Sequence, residues 1–165
     1  MDHIEKELEA GRAVILPTET VYGIFAKALD QEAVDYIYEL KRRPRDKALN
    51  LNVADEKTIR IYSKNQPSYL TKLIHSFLPG PLTIILQANE KVPNWIHSGL
   101  DTVGFRIPAH PKTLDLIRKF GPLVGPSANL SGHASGTKYR AIVSEFDQVV
   151  PGIEDDDFLT GQDST

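Results

Sequence analysis

The sequence contains no cysteine, so disulfide bonds, thiolate catalysis and cysteine-based zinc sites are all excluded. It contains no GxxxxGK(S/T) motif and no HExxH motif, and no GxGxxG sequence follows a strand-like segment. The five histidines are scattered, and no two of them share the spacing of zinc ligands. A P-loop nucleotidase and a zinc enzyme are therefore not expected, and we predict no metal site made by protein side chains.

The sequence also lacks an apolar run near the roughly 20 residues that cross a bilayer, and its first residues do not resemble a signal peptide. We therefore expect a cytoplasmic protein with no membrane contact. The formal net charge is −3, so any contact with nucleic acid has to come from a local basic patch rather than from the molecule as a whole.

The pattern of apolar residues predicts an α/β fold that forms one domain over residues 1–165. Residues 13–16 are a continuous apolar run typical of a buried strand. Leu49, Leu51 and Val53 alternate with asparagines, which is typical of a strand with one face in water. Further strands are predicted at 82–86, 103–107 and 123–124. Because these strands alternate irregularly with helices and differ in burial, we expect a twisted, mixed parallel and antiparallel sheet flanked by helices.

Aspartates are expected to cap three helices, with N-caps at Asp2, Asp30 and Asp55. A final helix is predicted from Thr137. The acidic run at 154–157 is expected to be a solvated loop. No closing helix or strand is predicted after it, so we expect a C-terminal end that is frayed or lacks its continuation.

Residues 41–47 carry five cationic side chains in seven positions, directly before and after Pro44. Like charges this close repel one another unless an anion neutralises them. Arginine suits a carboxylate or phosphate with its planar fork, and lysine acts as a compact point charge. A solvated surface turn and a turn that contacts nucleic acid are the alternative interpretations.

Two further segments, 17–23 and 127–132, are suited to the same anion because small hydroxyl residues let the backbone approach a phosphate closely. The first segment offers the hydroxyls of Thr18, Thr20 and Tyr22. Arg106 lies inside a strand-like segment, which is a costly place for a charge unless it meets an anion. The alternatives are ordinary serine or asparagine turns and an arginine that faces outward from an edge strand.

Five motifs together resemble the YrdC-like family of threonylcarbamoyl-adenylate synthases, and they stand in that family's order. They are Pro-Thr-Glu-Thr-Val-Tyr-Gly at 17–23, Lys-Arg-Arg-Pro with Lys47 at 41–47, Pro-Gly-Pro-Leu-Thr at 79–83, Gly-Phe-Arg-Ile-Pro at 104–108 and Pro-Ser-Ala-Asn-Leu-Ser-Gly at 126–132. The resemblance implies a YrdC-like sheet around a deep, positively charged central cavity. It also implies a nucleotidyltransferase that condenses L-threonine, bicarbonate and ATP into threonylcarbamoyl-AMP and pyrophosphate, for threonylcarbamoyladenosine modification of tRNA.

The same resemblance assigns roles to individual residues. The family signature KxR…SxN, which we expect to be catalytic, falls on Lys41, Arg43, Ser127 and Asn129. ATP or the adenylate is expected to contact Arg43, Lys47, Thr102, Asn129, Ser135 and Thr137. L-Threonine is expected to contact Thr20, Tyr22, Asn52, Arg106, Ser127 and Ser164. Arg106 would receive the threonine carboxylate. Asn52 stands where several relatives carry a histidine that helps to bind threonine.

Mg²⁺ is expected to arrive bound to ATP, because no carboxylate pair is evident for it. A downstream complex would transfer the threonylcarbamoyl group to tRNA. The competing interpretations are a non-catalytic module that binds double-stranded RNA or tRNA, an inactive paralogue of the same fold, and an accessory domain of a larger maturation enzyme. We expect alanine at Lys41 or Arg43 to abolish adenylate formation without unfolding the protein.

Overall fold

The structure, a computed structural model, describes residues 2–130, 136–162 and 165. Its elements are, in chain order, α1 (His3–Glu9), β1 (Val14–Pro17), β2 (Tyr22–Lys27), α2 (Gln31–Lys41), β3 (Leu51–Asn52), α3 (Glu56–Ile61), β4 (Ser63–Lys64), α4 (Leu70–Phe77), β5 (Ile84–Ala88), α5 (Asn94–His97), β6 (Thr102–Arg106), α6 (Pro111–Phe120), β7 (Leu123–Val124), α7 (Tyr139–Glu145) and a short 3₁₀ turn (Asp156–Phe158).

Seven strands form one mixed sheet in the order β1-β2-β7-β3-β6-β5-β4. The β3–β6 pair is parallel, and the other neighbouring pairs are antiparallel. The mixed sheet with flanking helices confirms the predicted fold class. In the described part of the chain, no helix has both the length and the apolar character that crossing a membrane requires.

Aspartate side chains cap three of the helices, as predicted. The carboxylates of Asp2, Asp30 and Asp55 accept backbone N–H groups in the first turn of α1, α2 and α3. Each cap satisfies donors that a helix leaves without an internal partner. The last helix begins two residues later than predicted, at Tyr139 rather than at Thr137.

The central strands differ most from the sequence prediction. β2 follows the Thr18–Thr20 turn directly, where a loop was predicted, and five of its six residues are buried. β3 is only two residues long, and the prediction of one wet face is wrong at Asn52, which is 4% exposed. The predicted solvated loop at 154–157 is also only partly exposed, because the Tyr22 hydroxyl donates to the Asp156 carboxylate at 2.6 Å. Asn52 is buried, and Asp156 is partly buried, by contacts with distant segments, which periodicity does not reveal.

The fully buried ring of Phe25 packs directly against the backbone of Gly125. A β-carbon at position 125 would overlap this ring, so the closely packed ring would have to shift. We therefore expect Gly125→Ala to lower the free energy of unfolding by about 1–3 kcal/mol, measured by denaturant titration. Adding Phe25→Leu should recover part of the loss. Strictly additive effects of the two changes would contradict the overlap.

Candidate functional site

A cavity of about 310 Å³ lies where five separate stretches of the chain meet. Polar and small side chains make up most of its wall. The lining residues are Thr18, Thr20, Val21, Tyr22, Gly23, Arg43, Ala48, Leu49, Asn50, Asn52, Thr83, Arg106, Gly125, Pro126 and Ser127. The volume falls at the lower end of the range for small-molecule sites, about 300–1,000 Å³.

Arg106 ends β6, which lies inside the sheet between β3 and β5, so the alternative of an outward-facing edge arginine is wrong. Its side chain is 12% exposed and forms an ion pair with Glu19. The same nitrogen, Nη2, donates to Thr20 Oγ1 at 3.0 Å, and Nε donates to the carbonyl of Gly80 at 3.2 Å. The anion that we expected to neutralise Arg106 is therefore, in the first place, the Glu19 carboxylate of the protein itself.

The turn before β2 places two threonine hydroxyls in the cavity. Thr18 Oγ1 donates to the carbonyl of Val21 at 2.6 Å and accepts the backbone N–H of Thr20 at 3.1 Å. The two hydroxyl oxygens, Thr18 Oγ1 and Thr20 Oγ1, are 3.0 Å apart. These bonds close a side-chain turn that fixes the Thr20 hydroxyl next to Arg106.

Two cations of the basic run lie on different sides of the cavity wall. Arg43 lines the cavity, and its Nη2 donates to the carbonyl of Ala48 at 2.9 Å. Its Nε is buried and has no hydrogen-bond partner among the described residues. Arg42, which stands between Lys41 and Arg43, adopts the left-handed conformation that ends α2.

Lys41 is buried behind the wall rather than in it. Its Nζ donates to the backbone carbonyl of Ser127 and, at 2.8 Å, to that of Asn129. Burial, reinforced by the nearby positive charge of Arg43, lowers the pKa of Lys41 from 10.5 to about 8. Lys41 therefore joins the end of α2 to the segment that follows β7.

That segment is also held along β2, which brings Ser127 to the cavity. The N–H of Ile24 donates to the carbonyl of Pro126, and the N–H of Ala128 donates to the carbonyl of Tyr22, both at 2.8 Å. Gly23 of β2 pairs directly with Ser127 of this segment, and the small size of both residues allows the two backbones to approach closely. The Ser127 side chain therefore faces the same space as Arg43 and Arg106.

The structure brings some of the sequence-predicted site residues together around this cavity: Thr20, Tyr22, Arg43, Asn52, Arg106 and Ser127. Others lie outside its lining: Lys41, Lys47, Thr102, Asn129 and Thr137. Ser135 and Ser164, as well as Ser131 of the last motif, fall outside the described residues.

Two of the predicted residues are already committed to contacts within the protein. The Tyr22 hydroxyl donates to Asp156 and accepts the N–H of Asp155, and burial together with the Asp156 carboxylate raises the pKa of Tyr22. Asn52 donates through Nδ2 to the carbonyl of Leu123 at 3.4 Å. These contacts tie the cavity wall to the C-terminal segment and to β7.

Glu19, Asn50 and Thr83 are site residues that the sequence reasoning missed. Glu19 and Thr83 stand inside two of the quoted motifs, and Asn50 is two residues before Asn52 in the alternating segment 49–53, so a signal was present for each. Glu19 contacts Arg106 across 87 residues of sequence, a distance over which pattern reasoning has no information. No group of three or more histidine, aspartate or glutamate side chains within the described residues could hold a metal ion.

Comparison with known proteins gives consistent matches over most of the chain. A family model described as Telomere recombination (Sua5_yciO_yrdC) matches residues 6–165. The threonylcarbamoyl-AMP synthase of Pyrococcus abyssi is 42% identical over 140 residues, which are 84% of this chain and 41% of that protein. The Bacillus subtilis protein of the same name is 40% identical over 150 residues, which are 90% of this chain and 43% of that protein.

A solved structure agrees with these sequence matches. The crystal structure of P. abyssi Sua5 complexed with L-threonine superposes with a TM-score of 0.85 at 40% identity, covering 90% of this chain and 44% of that one. The chain thus spans less than half the length of these relatives. The family model, the sequence relatives and the shared fold together show that this chain belongs to the Sua5/YciO/YrdC family.

Proposed function

We propose that this chain is the synthase unit of a threonylcarbamoyl-AMP synthase, acting on L-threonine, bicarbonate and ATP. The observation that carries the proposal is the meeting of Arg43 and Arg106 with Thr20 and Ser127 in one cavity. Two relatives that share about two-fifths of its residues bear the synthase name, and a solved relative binds L-threonine. The unit would comprise the single domain of residues 1–165.

Arg106 is the proposed partner of the threonine carboxylate. Among the described residues its Nη1 makes no hydrogen bond, while Nε and Nη2 are occupied. A guanidinium nitrogen and a carboxylate oxygen form a charge-assisted hydrogen bond, which is about twice as strong as a neutral one. The hydroxyls of Thr20 and Ser127 would hold the polar atoms of the same substrate.

The proposed reaction needs no covalent enzyme intermediate. The threonine amine loses a proton and attacks the carbon of bicarbonate, and water leaves to give a carbamate. A carbamate oxygen then attacks the α-phosphorus of ATP, and pyrophosphate leaves. The protein's contribution would be positioning and stabilisation of charge, in which Arg43 faces the developing negative charge on the phosphates.

The remaining predicted contacts of ATP extend beyond the walled cavity. Lys47, Thr102 and Thr137 lie outside its lining, and we propose that they meet the outer part of the nucleotide. Asn129 and Lys41 would act by holding the segment that carries Ser127, since both are buried and joined by the Lys41 hydrogen bond. Mg²⁺ would arrive with ATP and offset phosphate charge, because the described side chains form no cluster that suits it.

The test is pyrophosphate release from ATP with L-threonine and bicarbonate each present or withheld. We expect release only when both are present. Release that needs neither would indicate an ATPase and contradict the proposal. Binding of double-stranded RNA or tRNA that does not depend on threonine and weakens steeply with salt would instead support the RNA-binding alternative. The product would serve a transfer complex that modifies tRNA.

A further inference from the structure

The guanidinium of Arg106 is fixed by the protein on one edge. Nε donates to the carbonyl of Gly80 at 3.2 Å, and Nη2 donates to the Glu19 carboxylate and to Thr20 Oγ1. Arg106 nevertheless lines the cavity. The anchored edge therefore leaves Nη1 as the nitrogen that a ligand can use.

The Glu19 carboxylate joins two donors from different parts of the chain. Oε1 accepts from Arg106, and Oε2 accepts the backbone N–H of Ala109 at 2.7 Å. The backbone of Glu19 is fixed as well, because its carbonyl accepts the N–H of Thr160 at 2.9 Å. A carboxylate has an acceptor oxygen for each donor, whereas an amide has only one acceptor oxygen and a competing NH₂ group. This position therefore requires a carboxylate.

Glu19 acts on the cavity from behind Arg106. Its side chain is 16% exposed and is not part of the cavity lining. The Arg106 side chain is 12% exposed, so both charges are largely withdrawn from water. A buried charge that loses its partner seeks another one or moves toward solvent. Without Glu19, the guanidinium would lose its fixed orientation toward the cavity.

We infer that Glu19 is a positioning residue that holds Arg106 in the orientation that recognises the carboxylate of an α-amino acid. This inference rests on the proposed function and deepens it, because it assigns the selection for a carboxylate to the Glu19–Arg106 pair. A preorientated guanidinium binds more tightly than one that the ligand has to immobilise, since less conformational entropy is lost on binding.

The test compares L-threonine with L-threoninol, which keeps the amine and the hydroxyl but has CH₂OH in place of the carboxylate. Both are titrated by calorimetry into the wild type, Glu19→Gln and Glu5→Gln, each as the full chain with a non-hydrolysable ATP analogue. Glu5 is the matched control, since it is also an ion-paired glutamate, with Lys119 at 2.6 Å, and it lies on α1 away from the cavity.

In the wild type we expect threonine to bind at least about tenfold more tightly than threoninol. Glu19→Gln should reduce that ratio about tenfold by weakening threonine binding alone, and Glu5→Gln should leave it unchanged. A purely structural effect of Glu19→Gln would lower both affinities together. The KM for threonine should rise more than kcat falls.

An unchanged or increased ratio in Glu19→Gln would overturn the inference, because Glu19 would then be neutral toward Arg106 or in competition with the substrate. If Glu19→Gln does not fold, Glu19→Asp provides the comparison, since it keeps the charge and both oxygens on a shorter side chain. Its ratio should fall below that of the wild type, and an equal ratio would overturn the inference. A wild type that binds neither compound contradicts the proposed function itself.

Discussion

Arg43→Ala is expected to lower the rate of threonine-dependent pyrophosphate release by about 10²–10³-fold. The arginine lines the cavity, and its Nε has no protein partner within the described residues, so a ligand is the natural acceptor. Within the described residues, the hydrogen bond that the substitution removes is the one to the Ala48 carbonyl, so we expect a loss of stability of only about 1 kcal/mol. Steady-state kinetics and denaturant unfolding measure the two effects separately.

Arg45→Ala is the matched control for Arg43→Ala. Arg45 belongs to the same basic run, but it is outside the cavity lining and pairs with Asp35 at 2.6 Å. Removing it takes the same charge from the same loop, so its rate should change only a few-fold. Equal losses in the two variants would mean that the net charge of the loop matters rather than the Arg43 contact.

Lys41→Met is expected to reduce both the rate and the stability. The change keeps the unbranched side chain but removes the donor shared by the carbonyls of Ser127 and Asn129. Each carbonyl left without a donor costs about 1–3 kcal/mol, and the recovered desolvation of the ammonium offsets part of this. We expect a net loss near 2 kcal/mol and a rate about 10²-fold lower, because Ser127 shifts relative to Arg43. The exposed Lys72→Met serves as the control.

We thus expect the Lys41 variant to lose both rate and stability, whereas the Arg43 variant should lose rate with little loss of stability. Because Lys41 is 2% exposed and crosslinks two segments, we expect its variants to be destabilised but still folded, and the expectation from the sequence that alanine at Lys41 or Arg43 leaves the protein folded stays a prediction. A Lys41→Met protein with wild-type stability would show that the carbonyls find other donors and would contradict the crosslink.

The stability of the wild type should depend on pH through Lys41. Its pKa is about 8 in the folded protein against 10.5 ordinarily, so between these values the unfolded chain binds more protons than the folded one. The free energy of unfolding should therefore gain a rising contribution from pH 8 toward pH 10. Lys41→Met removes that contribution, and comparison of the two unfolding midpoints across this range measures it.

The sequence was most informative where a local signal decides the structure. The three aspartate caps needed only a short polar side chain before an amphipathic segment, and they were found at the predicted residues. β2 was missed because its buried residues follow the polar motif at 17–20 without a break and include Gly23, which weakens a strand pattern. The local pattern there predicts a loop, but burial against the rest of the protein makes the segment a strand.

The site could be predicted as a set of segments but not as a set of contacts. The basic run placed Lys41 and Arg43 together, two residues apart, yet one lies behind the wall and the other in it. Which of them faces the cavity depends on the left-handed Arg42 between them, and the arginine is not a residue type that signals this conformation. The ion pair of Glu19 with Arg106 likewise depends on the tertiary fold, which brings residues 87 positions apart into contact, and no local pattern predicts it.

The length of α2 sets where the Lys41 ammonium at its end lies. The helix runs for 11 residues from the Asp30 cap to Lys41, and each residue adds about 100° of rotation. Deleting one residue from its middle would keep the composition, the cap and the basic run, yet it would turn the Lys41 ammonium away from the carbonyls of Ser127 and Asn129. The site therefore constrains the number of residues in α2 more than it constrains the exposed side chains of that helix.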